Sequence, residues 1–188
     1  MKLLIIGAGG VGTSAAKIIA RAGADGDWAE KVVVADYDLE RAKKVANEIC
    51  GGGKFVPEQI NAMDAESIKS VAKKHGCDFA MNACDPRMNE TIFDTCLEIG
   101  IGYLDCAMTL GTEHPEKPYE LTNIKLGDYQ FAKQKEWEKR YNAKRKAQVE
   151  AAKATIRAED MEKGIFTTVS QLPRQEPRKA TVSASATV

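Results

Sequence analysis

Apolar and polar positions alternate in two rhythms through the first hundred residues. Lys2–Ile6 is a short, nearly unbroken apolar run, the pattern of a strand buried on both faces. Val11–Ala22 switches to helical spacing, with Val11, Ala15, Ile18, Ile19 and Ala22 on one face and Gly23 as the stop. Lys31–Ala35 is a second, β-branched strand that runs into Asp36. Asp38 is placed to cap a helix over Leu39–Ile49, whose inner face is Leu39, Ala42, Val45, Ala46 and Ile49. A third strand falls within Lys54–Ile60, and Asp64 precedes a helix over Ala65–Lys74. Asp78–Asn82 is a fourth strand, Arg87–Ile99 a helix, and Gly102–Cys106 a fifth strand. The order βαβαβαβαβ predicts a parallel sheet with helices on both faces, an α/β fold of the Rossmann-type doubly wound class.

The rhythm changes after residue 108. Met108–Asp128 is turn-rich, with Gly111, Pro115, Pro118 and Gly127. From Tyr129 to Lys163 there is neither Pro nor Gly, which predicts one long charged helix. Phe131, Trp137, Tyr141, Val149, Ala152 and Ile156 give it a narrow apolar stripe, too thin for a coiled coil. The ending is rich in Ser, Ala and Thr and reads as a flexible tail. The expected division is therefore a Rossmann-type α/β domain over 1–128, a helical extension over 129–163 and a tail over 164–188.

Charge sharpens that division. Residues 139–188 hold 11 Lys and Arg against 5 Asp and Glu, while residues 1–138 hold 16 against 22. The overall balance of zero argues against a general nucleic-acid or membrane-surface binder, and no apolar run is long enough to span a bilayer. The N-terminus lacks the apolar stretch of a secretory leader. Five scattered cysteines, none spaced as CxxC, fit reduced thiols in the cytoplasm rather than disulfides or a metal site. Two histidines, with no HExxH, place metal hydrolysis and a serine triad low.

The doubly wound order gathers the polar loops at the carboxyl ends of the strands, and candidate chemistry follows. Gly7, Gly9 and Gly12 form a GxGxxG turn between a strand and a helix. The first permits the turn, the second the approach of a pyrophosphate, and the third close helix packing. Asp36, at the tip of the second strand, can accept the adenine-ribose hydroxyls and would repel a 2′-phosphate, so NAD is favoured over NADP. Arg41 folding over the adenosine is the route to NADP; a solvated helix face is the plainer reading of Arg41, Lys43 and Lys44. Asp64 can meet the adenine edge, cap its helix, or both. Cys84, Cys106 and Thr109 can face the nicotinamide or serve as ordinary packing residues. No residue stands out as a general base, so the catalytic residues are left unassigned.

IIGAGGVG, ADYD at the second strand end, NACDP after the fourth strand, GYLDCA, and the segment YELTNIKLGDYQFAKQKEWEK together resemble the saccharopine dehydrogenase family. The similarity is to its N-terminal NAD(P)-binding domain and covers about residues 1–138. It implies an oxidoreductase that moves a hydride between a nicotinamide cofactor and a carbon–nitrogen bond of an amino-acid-like substrate. It also implies roles for Gly7, Ala8, Gly9, Gly10, Val11 and Gly12 at the pyrophosphate, for Asp36 at the ribose, and for Asn82, Ala83 and Cys84 in the cofactor-lining loop. Members of the family are about twice as long, so a truncated chain without its substrate domain is expected. A homo-oligomer is left open. An NAD(H)-sensing regulatory module, like those of potassium transport systems, is the competing reading; it lacks the NACDP loop. A third possibility is that the extension docks on a partner.

Overall fold

A computed structural model describes residues 1–162. Five parallel strands form one sheet in the order β3-β2-β1-β4-β5. They are β1 (Lys2–Ile6), β2 (Lys31–Asp36), β3 (Phe55–Gln59), β4 (Phe79–Asn82) and β5 (Gly102–Asp105). Ile6 at the end of β1 lies beside Ala35 on one side and Asn82 on the other. The chain order reverses between β1 and β4, so a crevice opens there at the carboxyl edge.

The pleat sends alternate residues of each strand to opposite cores. Leu4 and Ile6, with Val33, Ala35 and Ala80, face the side covered by α3 (Ala65–His75) and α4 (Asn89–Ile99). Leu3 and Ile5, with Val32 and Val34, face α1 (Gly10–Arg21) and α2 (Leu39–Lys43). Burial on both faces is why β1 and β2 read as continuous apolar runs. Asp38 caps α2 as expected, accepting from the Glu40 and Arg41 amides.

Three expectations for the helices that cover the sheet need correction. The buried face of α1 is Gly12, Ala16 and Ile19, whereas Val11 and Ile18 are exposed. The helix is phased by Gly12, which lies against the turn, and not by its largest side chains. The second helix does not run regularly to Ile49: after Lys43 it widens into a π-helical turn, Lys44–Ile49. The fourth begins as a 3₁₀ turn, Pro86–Met88, because Asp85 caps the Arg87 amide.

Beyond the sheet, β6 (Thr112–Glu113) and β7 (Thr122–Ile124) form an antiparallel pair within the turn-rich stretch. The helix expected over 129–163 is divided into α5 (Asp128–Ala132) and α6 (Gln134–Glu162). Lys133 leaves the helical conformation, and its carbonyl restarts α6 by accepting from Glu136 and Trp137. Its ammonium reaches Asp94 on α4 at 2.5 Å and the Tyr129 hydroxyl at 2.7 Å, while Tyr129 also donates to Asp94. These contacts to a residue distant in sequence outweigh helix continuity. The predicted stripe is not one buried face either. Trp137 packs on the core beside Phe93, but Phe131, Tyr141, Val149 and Ile156 are exposed. The basic residues of α6 do more than face solvent. Arg140 donates to the Leu97 and Glu98 carbonyls and Lys144 to that of Gly100, which satisfies the end of α4.

The chain divides into two compact units, Met1–Arg145 and Lys146–Val188. All the contacts above lie in the first; the described part of the second is helical. The predicted tail, 164–188, lies outside the described residues.

Candidate dinucleotide-binding site

β1 ends at Ile6 and the chain turns at Gly7, whose φ of 101° favours glycine. Its amide donates to the Ala35 carbonyl at 2.8 Å, and a Cβ there would press on the Ala83 carbonyl and the Cys84 sulfur. Gly12 is tighter still: a Cβ would stand 1.8 Å from the Gly7 carbonyl oxygen. By contrast a Cβ on Gly9 or Gly10 would meet nothing within 4 Å. The turn is thus closed on its inner side and open on its outer side. No side chain caps α1, so its leading N–H groups point into that open space with the positive end of the helix dipole. The arrangement fits a pyrophosphate. Ala8 is buried below the turn, and Val11, half exposed, borders the open side.

Asp36 is buried to 7% exposure at the tip of β2. One carboxylate oxygen accepts from the Ala8 amide at 2.7 Å and the other from the Asp38 amide at 2.9 Å. The side chain therefore ties β2 to the glycine turn. A carboxylate has about four acceptor positions, so this tether leaves capacity for further donors. Arg41 stands 3.5 Å from Asp36 and 3.9 Å from Asp38, on the rim.

A cleft of about 330 Å³ opens from the turn along the carboxyl edge. Gly7, Asp36 and Cys84 border it, and Tyr37, Ile60 and Met63 supply its apolar walls. Tyr37 and Met63 are well exposed, as flanking surfaces for a flat base would be. These walls were not singled out from sequence, although an aromatic residue directly after the acidic strand tip was a usable sign. Asp64 lies just beyond and caps α3 through the Glu66 amide; it does not line the cleft.

The far side of the cleft is the loop after β4. Cys84 lies here half-buried, its thiol donating to the Ile6 carbonyl at 3.3 Å. Burial, reinforced by the charges of Asp36 and Asp85, pushes this thiol up to about 11, so it is neutral at ordinary pH. Ala83 continues the sheet register through its amide to Ile6. Asn82 is behind the loop, only 1% exposed, with its amide engaged within the protein. Cys106 is exposed past the end of β5. Among the described residues no cluster of three or more His, Cys, Asp or Glu could hold a metal ion, and no helix is long and apolar enough to cross a membrane.

Residues 3–156 match the family described as saccharopine dehydrogenase NADP binding domain. The chain belongs to that family. It is 28% identical over 117 residues to the carboxynorspermidine synthase of Vibrio cholerae, covering 58% of this chain and 28% of that protein. It is 28% identical over 106 residues to the carboxyaminopropylagmatine dehydrogenase of Synechocystis, covering 56% and 25% respectively. The chain thus spans about a quarter of the length of these relatives. Among solved structures it is similar to apo saccharopine dehydrogenase from Saccharomyces cerevisiae. That match has a TM-score of 0.43 at 17% identity, covering 55% of this chain and 21% of that one.

Proposed function

We propose that the chain is the cofactor-holding part of an oxidoreductase that transfers hydride at a carbon–nitrogen bond of an amino-acid-like amine. The observation that carries this reading is the glycine turn, closed inside and open outside, joined by Asp36 to the tip of β2. It supports a dinucleotide whose pyrophosphate lies over Gly7–Gly12 and whose adenosine occupies the cleft beside Tyr37 and Met63. The names of the two curated relatives, which concern carboxylated polyamine-like compounds, support an amine substrate.

The Asp36 carboxylate favours NAD(H), because its charge opposes a 2′-phosphate while its free acceptor positions suit ribose hydroxyls. Arg41 is the rim group able to receive that phosphate if NADP(H) also binds. Titrating the chain with NADH and NADPH by fluorescence tests the reading. Saturable binding with NADH the tighter ligand is expected; binding of neither would overturn it.

A further inference from the structure

The β4–β5 side of the crevice holds a group of buried polar side chains. Asn89, in the first turn of α4, is 1% exposed. Its oxygen accepts from the Asn82 amide nitrogen at 2.7 Å, and its own nitrogen donates to the Ala107 carbonyl. Asn82 Nδ2 also donates to the Tyr103 hydroxyl at 3.3 Å. With its nitrogen held on that side, the Asn82 oxygen faces the loop and accepts from the Cys84 amide at 2.9 Å. One residue therefore governs two loops. It fixes the loop after β5 directly at Ala107, and the loop after β4 through the orientation of Asn82.

These loops follow β4 and β5, across the crevice from Asp36; of Ala83, Cys84, Cys106 and Ala107, only Cys84 borders the adenosine cleft. A dinucleotide that lies across a doubly wound sheet sends its second half over them. We propose that Asn89 is a positioning residue for the nicotinamide half of the bound dinucleotide. This rests on the cofactor reading above. Asn89 itself does not line the cleft; it acts by holding the Ala83–Cys84 and Cys106–Ala107 backbones in register with each other. An amide suits the task because it donates and accepts at one side-chain end, whereas an alanine leaves the Asn82 nitrogen with only its longer bond to Tyr103 and Ala107 without its donor.

The experiment compares a whole ligand with its adenosine half. Dissociation constants for NADH and for ADP are measured on the full chain, for the wild type, Asn89→Ala and the milder Asn89→Ser. Thermal unfolding is followed alongside, and the emission maximum of bound NADH is recorded. Asn89→Ala is expected to weaken NADH about tenfold, hold ADP within twofold, and shift the emission of bound NADH toward that of free NADH. Asn89→Ser should fall between. Thr95→Val, also buried on α4 but bonded only to its own helix at Thr91, should leave both constants unchanged.

Equal losses for NADH and ADP, or no loss for either, overturn the proposal while leaving the cofactor reading intact. So does a wild type that binds NADH no tighter than ADP. If both Asn89 variants fail to fold, the residue is structural and the proposal also falls. A wild type that binds neither ligand removes the cofactor reading, and this inference with it.

Discussion

Asp36→Ala should cost the chain both stability and nucleotide, and the two losses can be separated. In the fold the carboxylate accepts from Ala8 and Asp38. Ala8 is 3% exposed, so its amide would lose its acceptor where water is scarce. An orphaned buried donor costs about 1–3 kcal/mol. Asp38 is exposed, so water replaces its lost bond at little cost. The exposed Arg41 contact adds little, because solvent screens it. A total near 2 kcal/mol corresponds to a fall of about 4–8 °C in Tm for a chain of this size. Asp36→Asn keeps an acceptor for Ala8 while removing the charge, and should lose less than half as much. Its ligand preference should nonetheless change, with NADPH gaining on NADH as the repulsion of a 2′-phosphate disappears. Differential scanning fluorimetry and paired nucleotide titrations measure both effects. A Tm for Asp36→Ala within about 1 °C of the wild type refutes the tether argument. An unaltered NADH-to-NADPH ratio in Asp36→Asn refutes the ribose argument independently.

Gly12→Ala should lose the folded state or several kcal/mol of stability, since its Cβ cannot share space with the Gly7 carbonyl; a well-folded variant by circular dichroism would show that α1 can lift off the turn freely. Arg41→Ala should weaken NADPH more than NADH in the same titrations, and equal effects would remove Arg41 from any role at the 2′ position. Alkali should destabilise the fold. Burial pushes Cys77 and Cys84 up to about 11 and Cys96 up to about 12. An unfolded thiol titrates at about 8.5, so the stabilisation is whole below that pH and is lost as pH rises toward 11–12. Urea midpoints from pH 7 to 11 should fall along that limb, and Cys96→Ala should flatten it; an unchanged slope in the variant would count against the thiol. Cys106 should react with iodoacetamide at pH 8 well before Cys84, and simultaneous modification would contradict the environment described for Cys84.

The strands were legible because burial on two faces leaves an unambiguous mark in the sequence. β1 and β2 must be apolar at every central position, and Asp36 stands out where that requirement ends. Gly7–Gly12 was legible for a related reason: close backbone approach can be met only by residues without side chains. The face of α1 was not, because its phase is set by a glycine, which carries no hydrophobic signal. The break at Lys133 was hidden in another way. Nothing local ends the helix there; the cause is Asp94, far away in sequence. Asn82 and Asn89 were the least readable. A polar residue at a strand end or in a helix's first turn resembles an ordinary surface residue until the fold shows it buried and bonded within the core.

The two sides of the crevice therefore depend on different physics. Around Gly7 and Asp36 the backbone makes the site, and a charged side chain holds the backbone. Around Asn82 and Asn89, neutral amides enclosed by apolar packing set the loops. A buried amide network is sensitive to geometry because each unmet group is costly, so it holds one arrangement or gives way. Perturbing Asp36 should loosen the turn and also alter the choice between NADH and NADPH. Perturbing Asn89 should leave that choice alone and change how the far half of the ligand is held. If both substitutions altered the NADH-to-NADPH ratio alike, the turn and the amide group would have to be one cooperative unit, and the division between the two sides of the crevice would be wrong.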